Sequence, residues 1–320
     1  MKTKFDADEL NLVSLAKEYS SERKARKLFE SLRWPGGKPV CPHCKNDGEA
    51  KVISKLTSKP GSKHKIRDGI YFCGACRKKF TATVGTSFED SHLPISKWLM
   101  AIFILCSSKK SVSALQLSRM LKTSYKTAWF AAMRVRHAMA TDLQTAKPLE
   151  NTVEADETFC TAFYDSIHKP LNKTIVALIV ERDGQSRTRV IPSVTANTVG
   201  KFLNEAVDKS ATVNTDEHPS YKMALKGQKR HQRVNHSKYE YARHNPDGTV
   251  SHVNTCESWF SLFKRGLYGS QHIVSREHLQ KYASEFEFRW NTRKQTDGER
   301  MALFMPRIDG RRLYYRQPAN

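Results

Sequence analysis

Two pairs of cysteines constrain the fold of this chain more than any other feature. Each pair has CxxC spacing, as Cys41-Pro-His-Cys44 and Cys73-Gly-Ala-Cys76. Two such knuckles supply four thiolates for one tetrahedral zinc ion, in a closed site that leaves no position for a substrate. The spacing therefore predicts a small domain held together by structural Zn2+. Two alternatives stay open: some of these cysteines are simply buried, or His43 or His64 replaces one of them as a ligand.

The charge of the chain indicates a polyanionic partner. Its 320 residues carry 54 Lys and Arg against 32 Asp and Glu, a formal net charge of +22 at pH 7. Such an excess favours nucleic acid or an anionic membrane surface. The membrane is the weaker choice, because the longest apolar run, Trp98 to Cys106, is about half of a spanning helix. The first residues also lack the apolar core of a signal peptide. We therefore predict a DNA-binding protein with no membrane segment.

Three acidic residues stand where a carboxylate cluster can form. Asp156 ends a short apolar run, Asp216 comes just after the strand-like segment 211–214 and Thr215, and Glu257 opens a helix-like segment. From residue 152 onwards the pattern predicts three strands, a helix and a fourth strand, which is the order of an RNase H-like fold. Such a fold brings the first and fourth strands together at one edge of the sheet. Carboxylates gathered in this way hold divalent cations for phosphodiester chemistry.

Each acid also has an ordinary structural interpretation. Asp156 alone can be a turn or cap residue, and Asp216 can hold the turn that follows it. Asn254, with Glu257 three residues later, fits a helix N-cap and its reciprocal acid. Their joint occurrence in an RNase H-like order, on a basic chain with a zinc ribbon, favours the catalytic interpretation. Lys264 follows Glu257 by two helical turns and so shares its face, where it is predicted to hold a phosphate.

A helix, a turn and a second helix are predicted between the cysteine pairs and the acids. Residues 112–121 and 125–136 have helical periodicity, and a short turn separates them. In a helix-turn-helix the second helix enters the major groove of DNA. An ordinary helical hairpin is the alternative, and the basic charge of the chain favours DNA. The residues nominated are Ser124, Lys126 and Thr127 for base edges, and Arg134 and Arg136 for phosphates.

Two further segments are rich in Lys and Arg. One lies between the two cysteine pairs, and the other follows Asp216. Either can lie along DNA phosphates, and a solvated basic surface is the alternative for both. The basic residues are Lys51, Lys55, Lys59, Lys63, Lys65 and Arg67 in the first segment, and Lys222, Lys226, Lys229, Arg230, Arg233, Lys238 and Arg243 in the second.

Taken together, these motifs resemble the ISXO-like transposases of bacterial insertion sequences. The resemblance runs from about Leu32 to Arg293 and is carried by several segments of high specificity. After Asp156-Glu-Thr-Phe the family commonly has a Gly-Gly pair and a basic loop. Here the chain continues as Cys160-Thr-Ala-Phe-Tyr-Asp-Ser-Ile-His168, so the DNA contacts of that loop are not transferred. The matching segments are Leu32 to Gly37, Cys73 to Ser91, 153–159, 214–218, 252–266, 278–282 and 286–291.

The resemblance implies a DDE-type DNA transposase. The positions that match the family's catalytic segments, Asp156, Asp216 and Glu257, would hold two Mg2+ or Mn2+ ions about 4 Å apart. Water would cut the element's strand, and the freed 3′-hydroxyl would then attack target DNA. Related transposases have Glu or Asn as third ligand, so Asn254 is the alternative. We prefer Glu257 because it is charged and shares a helix face with Lys264, and because Asn254 fits the N-cap.

The implied partners are double-stranded DNA, namely terminal inverted repeats and target DNA, and further copies of the chain, since joining two ends needs at least a dimer. The implied location is the bacterial cytoplasm, at the nucleoid. Two other functions remain open: a zinc-ribbon regulator with an inactive RNase H-like domain, and a nuclease that cuts without joining.

The predicted fold class is therefore α+β or α/β. Its centre is an RNase H-like catalytic core, a mixed sheet flanked by helices, preceded by a zinc ribbon and a helix-turn-helix. The predicted divisions are an N-terminal helical segment at 1–35, the zinc ribbon at 36–92, the helical DNA-binding region at 93–147, the catalytic domain at 148–295 and a basic C-terminal tail at 296–320.

Overall fold

The computed structural model describes residues 10–58, 60–63, 65–160, 173–227, 230–272 and 274–314. Lys59, His64, Lys229 and the residues after Cys160 that depart from the family pattern lie outside the described residues. The chain divides into two compact units. Unit 1 comprises residues 1–108, 112–138 and 295–320, and unit 2 comprises residues 109–111 and 139–294.

Unit 1 combines helices with a small antiparallel sheet. Helices are present in the two segments where the periodicity predicts them, 112–121 and 125–136. The apolar run Trp98 to Cys106 forms the buried centre of the helix Ile95–Ser107. The first helix begins at a capping box, in which Asn11 and Ser14 each accept from the other's backbone amide. The helices are α1 (Leu12–Glu18), α2 (Glu22–Arg33), α3 (Ile95–Ser107), α4 (Ala114–Leu121) and α5 (Tyr125–Met139).

A three-stranded sheet in unit 1 carries the second cysteine pair, and the first pair precedes it in the chain. Its strands β1 (Ile53–Lys55), β2 (Ile70–Cys73) and β3 (Lys79–Thr81) are antiparallel in the order β1-β2-β3. Each cysteine pair ends in the same tight turn. Lys45 follows the first pair with φ 61°, and Arg77 follows the second with φ 59°, so both have a left-handed backbone. Residues of these types rarely adopt that conformation, so the shared geometry indicates two equivalent knuckles.

The structure differs from the predicted basic tail at 296–320. Helix α10 (Asp297–Phe304) and a 3-10 turn (Met305–Ile308) occupy the first part of it, with Met301, Phe304 and Ile308 buried. A capping box between Thr296 and Glu299 begins the helix. The segment therefore belongs to the core of unit 1, and the tail prediction was wrong up to residue 308.

Unit 2 is built on a mixed five-stranded sheet flanked by helices. The strand order is β6-β5-β4-β7-β8. The β4–β5 and β5–β6 pairs are antiparallel, whereas β4–β7 and β7–β8 are parallel. The strands are β4 (Thr152–Cys160), β5 (Thr174–Glu181), β6 (Ser186–Ile191), β7 (Thr212–Thr215) and β8 (His231–Arg233), with a separate antiparallel ribbon of β9 (Ala242–His244) and β10 (Val250–His252).

Helices cover both faces of this sheet. They are α6 (Ala196–Ala206), α7 (Pro219–Ala224), α8 (Asn254–Gly266) and α9 (Arg276–Asn291). Val153 and Ala155 of β4 pack with α6 and α7 in one apolar core. Strand β5 is buried along Thr174–Val180, as its apolar run without alternation predicts for a strand covered on both faces. Gly266 ends α8 against the ring of Phe286 in α9, where any Cβ would clash.

Candidate active site

Asp156 and Asp216 stand side by side on adjacent strands. Strands β4 and β7 are parallel, with Ala155 opposite Thr215, so the next residue on each strand is an aspartate. Asp216 follows the last residue of β7, as predicted. Asp156 lies mid-strand, because β4 continues to Cys160 after its neighbour β7 ends. The Asp156 carboxylate accepts from the Glu157 amide at 2.8 Å, and that of Asp216 from the His218 amide at 3.0 Å.

Glu257 joins these acids from helix α8. Side chains alternate along a strand, so Glu154 and Asp156 of β4 project away from the core formed by Val153 and Ala155. Glu154 accepts from the Thr255 amide at 2.8 Å, which fixes the start of α8 on that face. Glu257 lies in the first turn of α8 and is exposed. The three acids therefore come from three separate segments to one side of β4.

Asp156 is influenced by the charges of the other two acids. Burial raises the pKa of Asp156 from an ordinary 3.8 to about 7, and the negative charges of Asp216, Glu157 and Glu257 add to this rise. Burial also raises the pKa of Asp216, with Glu217 adding to the effect. Among the described residues, no Lys or Arg forms an ion pair with any of the three acids. The cluster thus concentrates negative charge that no side-chain cation of the described chain neutralises directly.

This charge gives a testable pH dependence. Asp156→Asn is expected to raise the melting temperature of the protein at pH 8 without added divalent cations, and to change it little at pH 4. A carboxyl whose pKa is raised on folding stabilises the fold fully below its ordinary pKa, and this contribution is lost as the pH rises through about 7. Asparagine stays neutral throughout. Each kcal/mol recovered is worth about 2–4 °C for a domain of this size.

Melting curves of the wild type and the variant between pH 4 and pH 8 measure this difference. Parallel curves across the whole range would contradict the shifted pKa of Asp156.

The four cysteines form a compact cluster in unit 1. The sulfur of Cys41 lies 3.7 Å from that of Cys76, and the sulfur of Cys44 lies 3.7 Å from that of Cys73. In a tetrahedral site with Zn–S bonds of about 2.3 Å, neighbouring sulfurs are about 3.8 Å apart. Backbone amides, chiefly that of Cys76, lower the pKa of the Cys73 thiol to about 6. His43 is exposed and is not part of the cluster.

A metal ion can be held by three or more His, Cys, Asp or Glu side chains that lie close together. Among the described residues, only the four cysteines form such a group in this conformation. Their ligand atoms all lie within 4.8 Å of one another. The charges of Asp216 and Glu257 reach Asp156 and raise its pKa, but the carboxylate oxygens of the three acids do not form such a close group.

Comparison with known proteins identifies both parts of the chain. Residues 148–291 match the ISXO2-like transposase domain, and residues 20–79 match the transposase zinc-ribbon domain. The chain thus combines a transposase zinc-ribbon domain with an ISXO2-like transposase domain. A relative of this chain is an uncharacterized protein in transposable element ISH50 of Halobacterium salinarum. The two are 28% identical over 295 aligned positions, and the alignment covers 85% of this chain and 92% of the relative.

Among solved structures, the transposase resembles a chain of the Mos1 transposase paired-end complex with left transposon end. The match has 13% identity and a TM-score of 0.28, and covers 65% of this chain and 75% of that chain. So loose an overlap assigns neither fold nor function. Separately, no helix within the described part of the transposase is long and apolar enough to cross a membrane.

The start of α5 presents the polar residues nominated for DNA bases. Ser124, Lys126 and Thr127 are all exposed. Ser124 also has a structural role, because its hydroxyl accepts from the Thr127 amide at 3.2 Å and bonds the Thr127 hydroxyl at 2.8 Å. It therefore acts as the N-cap of α5. Lys126 projects from the first turn of the helix beside this cap.

Arg134 and Arg136 do not lie where phosphates can reach them. Arg134 is 8% exposed, donates to the Glu89 carbonyl at 3.1 Å and stacks on Phe130. Arg136 is fully buried and donates to the Val112 carbonyl at 3.2 Å. From Ala128 onwards α5 is buried on nearly every side, so both guanidiniums serve internal packing. Their nomination for phosphate contacts was wrong in this structure.

The basic segment after Asp216 is tethered next to the acids. Glu217 accepts from the amides of His236 and Ser237 at 2.9 and 3.1 Å, and the hydroxyl and amides of this turn lower its pKa to about 2. Arg243 pairs with Glu240 at 2.7 Å, so its charge is largely neutralised. The exposed basic residues of the segment are Lys222, Lys226, Arg230, Arg233, Lys238 and Arg243.

The basic insert between the cysteine pairs is also exposed. Lys55 pairs with Glu30 at 3.4 Å and lies over the ring of Tyr71. Its other described members, Lys51, Lys63, Lys65 and Arg67, are exposed at the surface of unit 1.

Asn254 and Lys264 lie near opposite ends of α8. The N-cap of α8 is Val253, which makes no side-chain cap bond, and Asn254 is the first residue of the helix. The predicted capping role of Asn254 was therefore wrong. Lys264 lies on the same side of the helix as Glu257 and is half-buried. Its charge acts on Cys160 at the end of β4 and partly offsets the effect of burial, which raises the pKa of that thiol to about 11.

Two residues near the acids escaped sequence reasoning. Glu154, two positions before Asp156, is fully buried and bonds the start of α8. Tyr221 of α7 is buried and donates to the Glu157 carboxylate at 2.7 Å. The sequence around Glu154 does not reveal that this acid is buried, because its neighbours have the pattern of any β-strand.

Proposed function

We propose that this protein is a DDE-type transposase that cleaves DNA at the ends of an insertion sequence and joins those ends to target DNA. The observation that carries the proposal is the convergence of Asp156, Asp216 and Glu257 on one side of β4. They meet in a chain of net charge +22, without a Lys or Arg partner among the described residues. A cluster left unpaired in so basic a chain is best explained by cations that it binds.

The topology of unit 2 supports an RNase H-like core. Three antiparallel strands, a helix and a parallel fourth strand follow one another, and the acids occupy matching levels of the first and fourth strands. The third acid comes from a helix on the same face. This order of strands and helices, with two acids on adjacent strands and one on a helix, supports the proposed core.

The residues present fit two Mg2+ or Mn2+ ions. Their donors are carboxylate oxygens, which hard cations prefer, and the raised pKa of Asp156 reflects burial and a mutual repulsion that bound cations relieve. When bound, such ions stabilise the attacking and leaving oxygens of an in-line displacement. Asp156 and Asp216 would hold them from adjacent strands, with Glu257 as third ligand from α8. Lys264, half-buried on the same helix side, would orient a DNA phosphate.

The proposed partners are double-stranded DNA and further copies of the chain. Helices α4 and α5 have the spacing of a helix-turn-helix, and the exposed Lys126 and Thr127 stand at the start of the second helix. If this helix-turn-helix recognises the terminal inverted repeats, it would direct the three acids to the ends of the insertion sequence. Synapsis of two ends would require at least a dimer. The four cysteines would hold Zn2+ in a structural role.

The recognition helix gives a second testable prediction. Lys126→Ala is expected to lower the preference for end DNA over random DNA by about 10-fold, because a side chain that reads base edges is worth about 1–3 kcal/mol. Lys201→Ala, which removes an exposed lysine from α6, should lower binding to both DNAs slightly and equally. Affinities measured by anisotropy at fixed salt distinguish the two. An equal loss on both DNAs for Lys126→Ala would remove α5 from base recognition.

A strand-transfer assay tests the function itself. Purified protein, labelled DNA ends from the flanks of the gene, a target plasmid and Mg2+ should yield both cleaved ends and joined products. Cleavage without joining would identify a nuclease instead. Binding to ends with neither product would identify a DNA-binding regulator.

A further inference from the structure

Glu154 is the most densely bonded acid in the described part of unit 2. Its side chain has no exposed surface. One oxygen accepts from Arg182 at 2.8 Å, from the Thr255 hydroxyl at 2.8 Å, and lies 3.1 Å from the His252 ring nitrogen. The other accepts from the backbone amides of Thr255 and Cys256 at 2.8 and 3.2 Å. A buried carboxylate with this many donors is held in one place.

The two amides bonded by Glu154 belong to the start of α8. The helix begins at Asn254, and its own N-cap residue, Val253, provides no side-chain cap. Thr255 and Cys256 therefore carry amides that the helix itself cannot satisfy. Glu154 of β4 accepts hydrogen bonds from both amides. Its negative charge is also favourable at the positive end of the helix dipole. It serves as the cap that the local sequence of α8 lacks.

The capping contact sets the spacing between two of the acids. Asp156 follows Glu154 by two residues on the same face of β4, since side chains on a strand alternate. Glu257 follows Thr255 by two residues on α8. A bond between Glu154 and Thr255 thus fixes the level at which Glu257 stands beside Asp156. Further along α8, the charge of Lys264 acts on Cys160 at the end of β4, so the helix stays close to the strand.

Arg182 fixes the segment that leads into α8. It begins the tight turn between β5 and β6, where its amide donates to the Thr152 carbonyl at 3.0 Å. Its guanidinium also donates to the carbonyls of Val250 and His252, at 2.7 and 3.2 Å. The same guanidinium bonds Glu154, so β4, β10 and the start of α8 are tied at one point.

We propose that Glu154 is a positioning residue for the third acid. It does not touch substrate. It holds the start of α8 against β4 and thereby sets the distance from Glu257 to Asp156, with Arg182 as its counter-charge. This inference rests on the proposed function of the three acids, and adds to it the residue that keeps their geometry.

The first arm of the test needs neither metal activity nor DNA. In Glu154→Gln, hydrogen exchange of the Thr255 and Cys256 amides should accelerate by about 2–30-fold. This range is the free-energy cost of losing a helix cap converted to a ratio of exchange rates. Glu287→Gln is the matched control. Glu287 is also buried, in α9, and accepts from the amide and hydroxyl of Thr188, both at 2.7 Å. It should leave the α8 amides unchanged.

The second arm measures the Mg2+ requirement of cleavage, which would not change if Glu154 only stabilised the fold. At a temperature where both variants are fully folded, Glu154→Gln should raise the Mg2+ concentration needed for half-maximal end cleavage by about 10–100-fold. Affinity for end DNA without Mg2+ should stay at the wild-type value. Glu287→Gln should alter neither quantity.

Unchanged exchange of the α8 amides in Glu154→Gln would overturn the capping contact and the proposal with it. Faster exchange with an unchanged Mg2+ requirement would also overturn it, because Glu154 would then only stabilise the helix. A wild type that cleaves no end DNA would overturn the proposed function alone, while the exchange difference would still establish the cap.

Discussion

Replacing Glu257 by glutamine is expected to lower Mg2+-dependent cleavage and joining of end DNA by more than about 100-fold. Even residues that only support a metal ligand are worth about 10–100-fold in affinity or activity, and a direct ligand should exceed them. Glutamine keeps the size of the side chain but removes the charge that a hard cation prefers. Because Glu257 is exposed in the first turn of α8, folding and end binding should stay close to wild type.

Asn254→Ser is the matched comparison, because Asn254 is the alternative third ligand. It is exposed in the same first turn, and the serine variant should retain most of the cleavage activity. One argument for Glu257 is no longer available, since Asn254 is not the N-cap. The choice now rests on charge and on the position of Lys264 two turns further along the same helix side.

Cleavage of one end DNA by both variants, at several Mg2+ concentrations, decides between them. If the Glu257→Gln variant still cuts and the Asn254→Ser variant does not, the assignment is reversed and Asn254 is the third ligand.

The parts of the fold that sequence predicted best are those with local causes. The CxxC spacing fixes two equivalent knuckles, and the apolar run of β5 is buried because helices cover both faces of the sheet. Asp216 could be placed because a strand pattern ends directly before it. The level of Asp156 relative to Asp216 needed the parallel register of β4 and β7, which no single segment encodes.

The parts that sequence missed depend on contacts between distant segments. Glu154 caps a helix that starts about a hundred positions later, so no local pattern assigns it. Arg134 and Arg136 look solvent-facing by charge, yet α5 is buried on nearly all sides after Ala128. In contrast, α10 carried a readable signal: Thr296 and Glu299 have capping-box spacing, and its apolar residues follow. A glycine at the second position of that helix argues against a helix and masks the signal.

The small sheet of unit 1 is expected to depend on its metal. Cys41→Ser should release Zn2+ and unfold the ribbon, because structural zinc contributes roughly 10–16 kcal/mol of binding free energy in zinc-finger peptides. Strands β1 and β3 have three residues each and β2 has four. So small a sheet buries too little apolar surface to fold alone. The packing of Trp34 on Tyr71, with ring centroids 5.4 Å apart, adds only about 1 kcal/mol.

Elemental analysis of the purified protein should give one zinc per chain for the wild type and close to none for Cys41→Ser. Cys106→Ala is the control: Cys106 is also buried in unit 1, within α3, and lies outside the cluster. It should keep its zinc and lose only the stability of one small buried group. Chelator should lower the melting temperature of the wild type and of Cys106→Ala but not that of Cys41→Ser. A wild type without zinc that melts cooperatively and ignores chelator would show that the cysteines are merely buried, since thiolates that hold zinc make its removal an unfolding step.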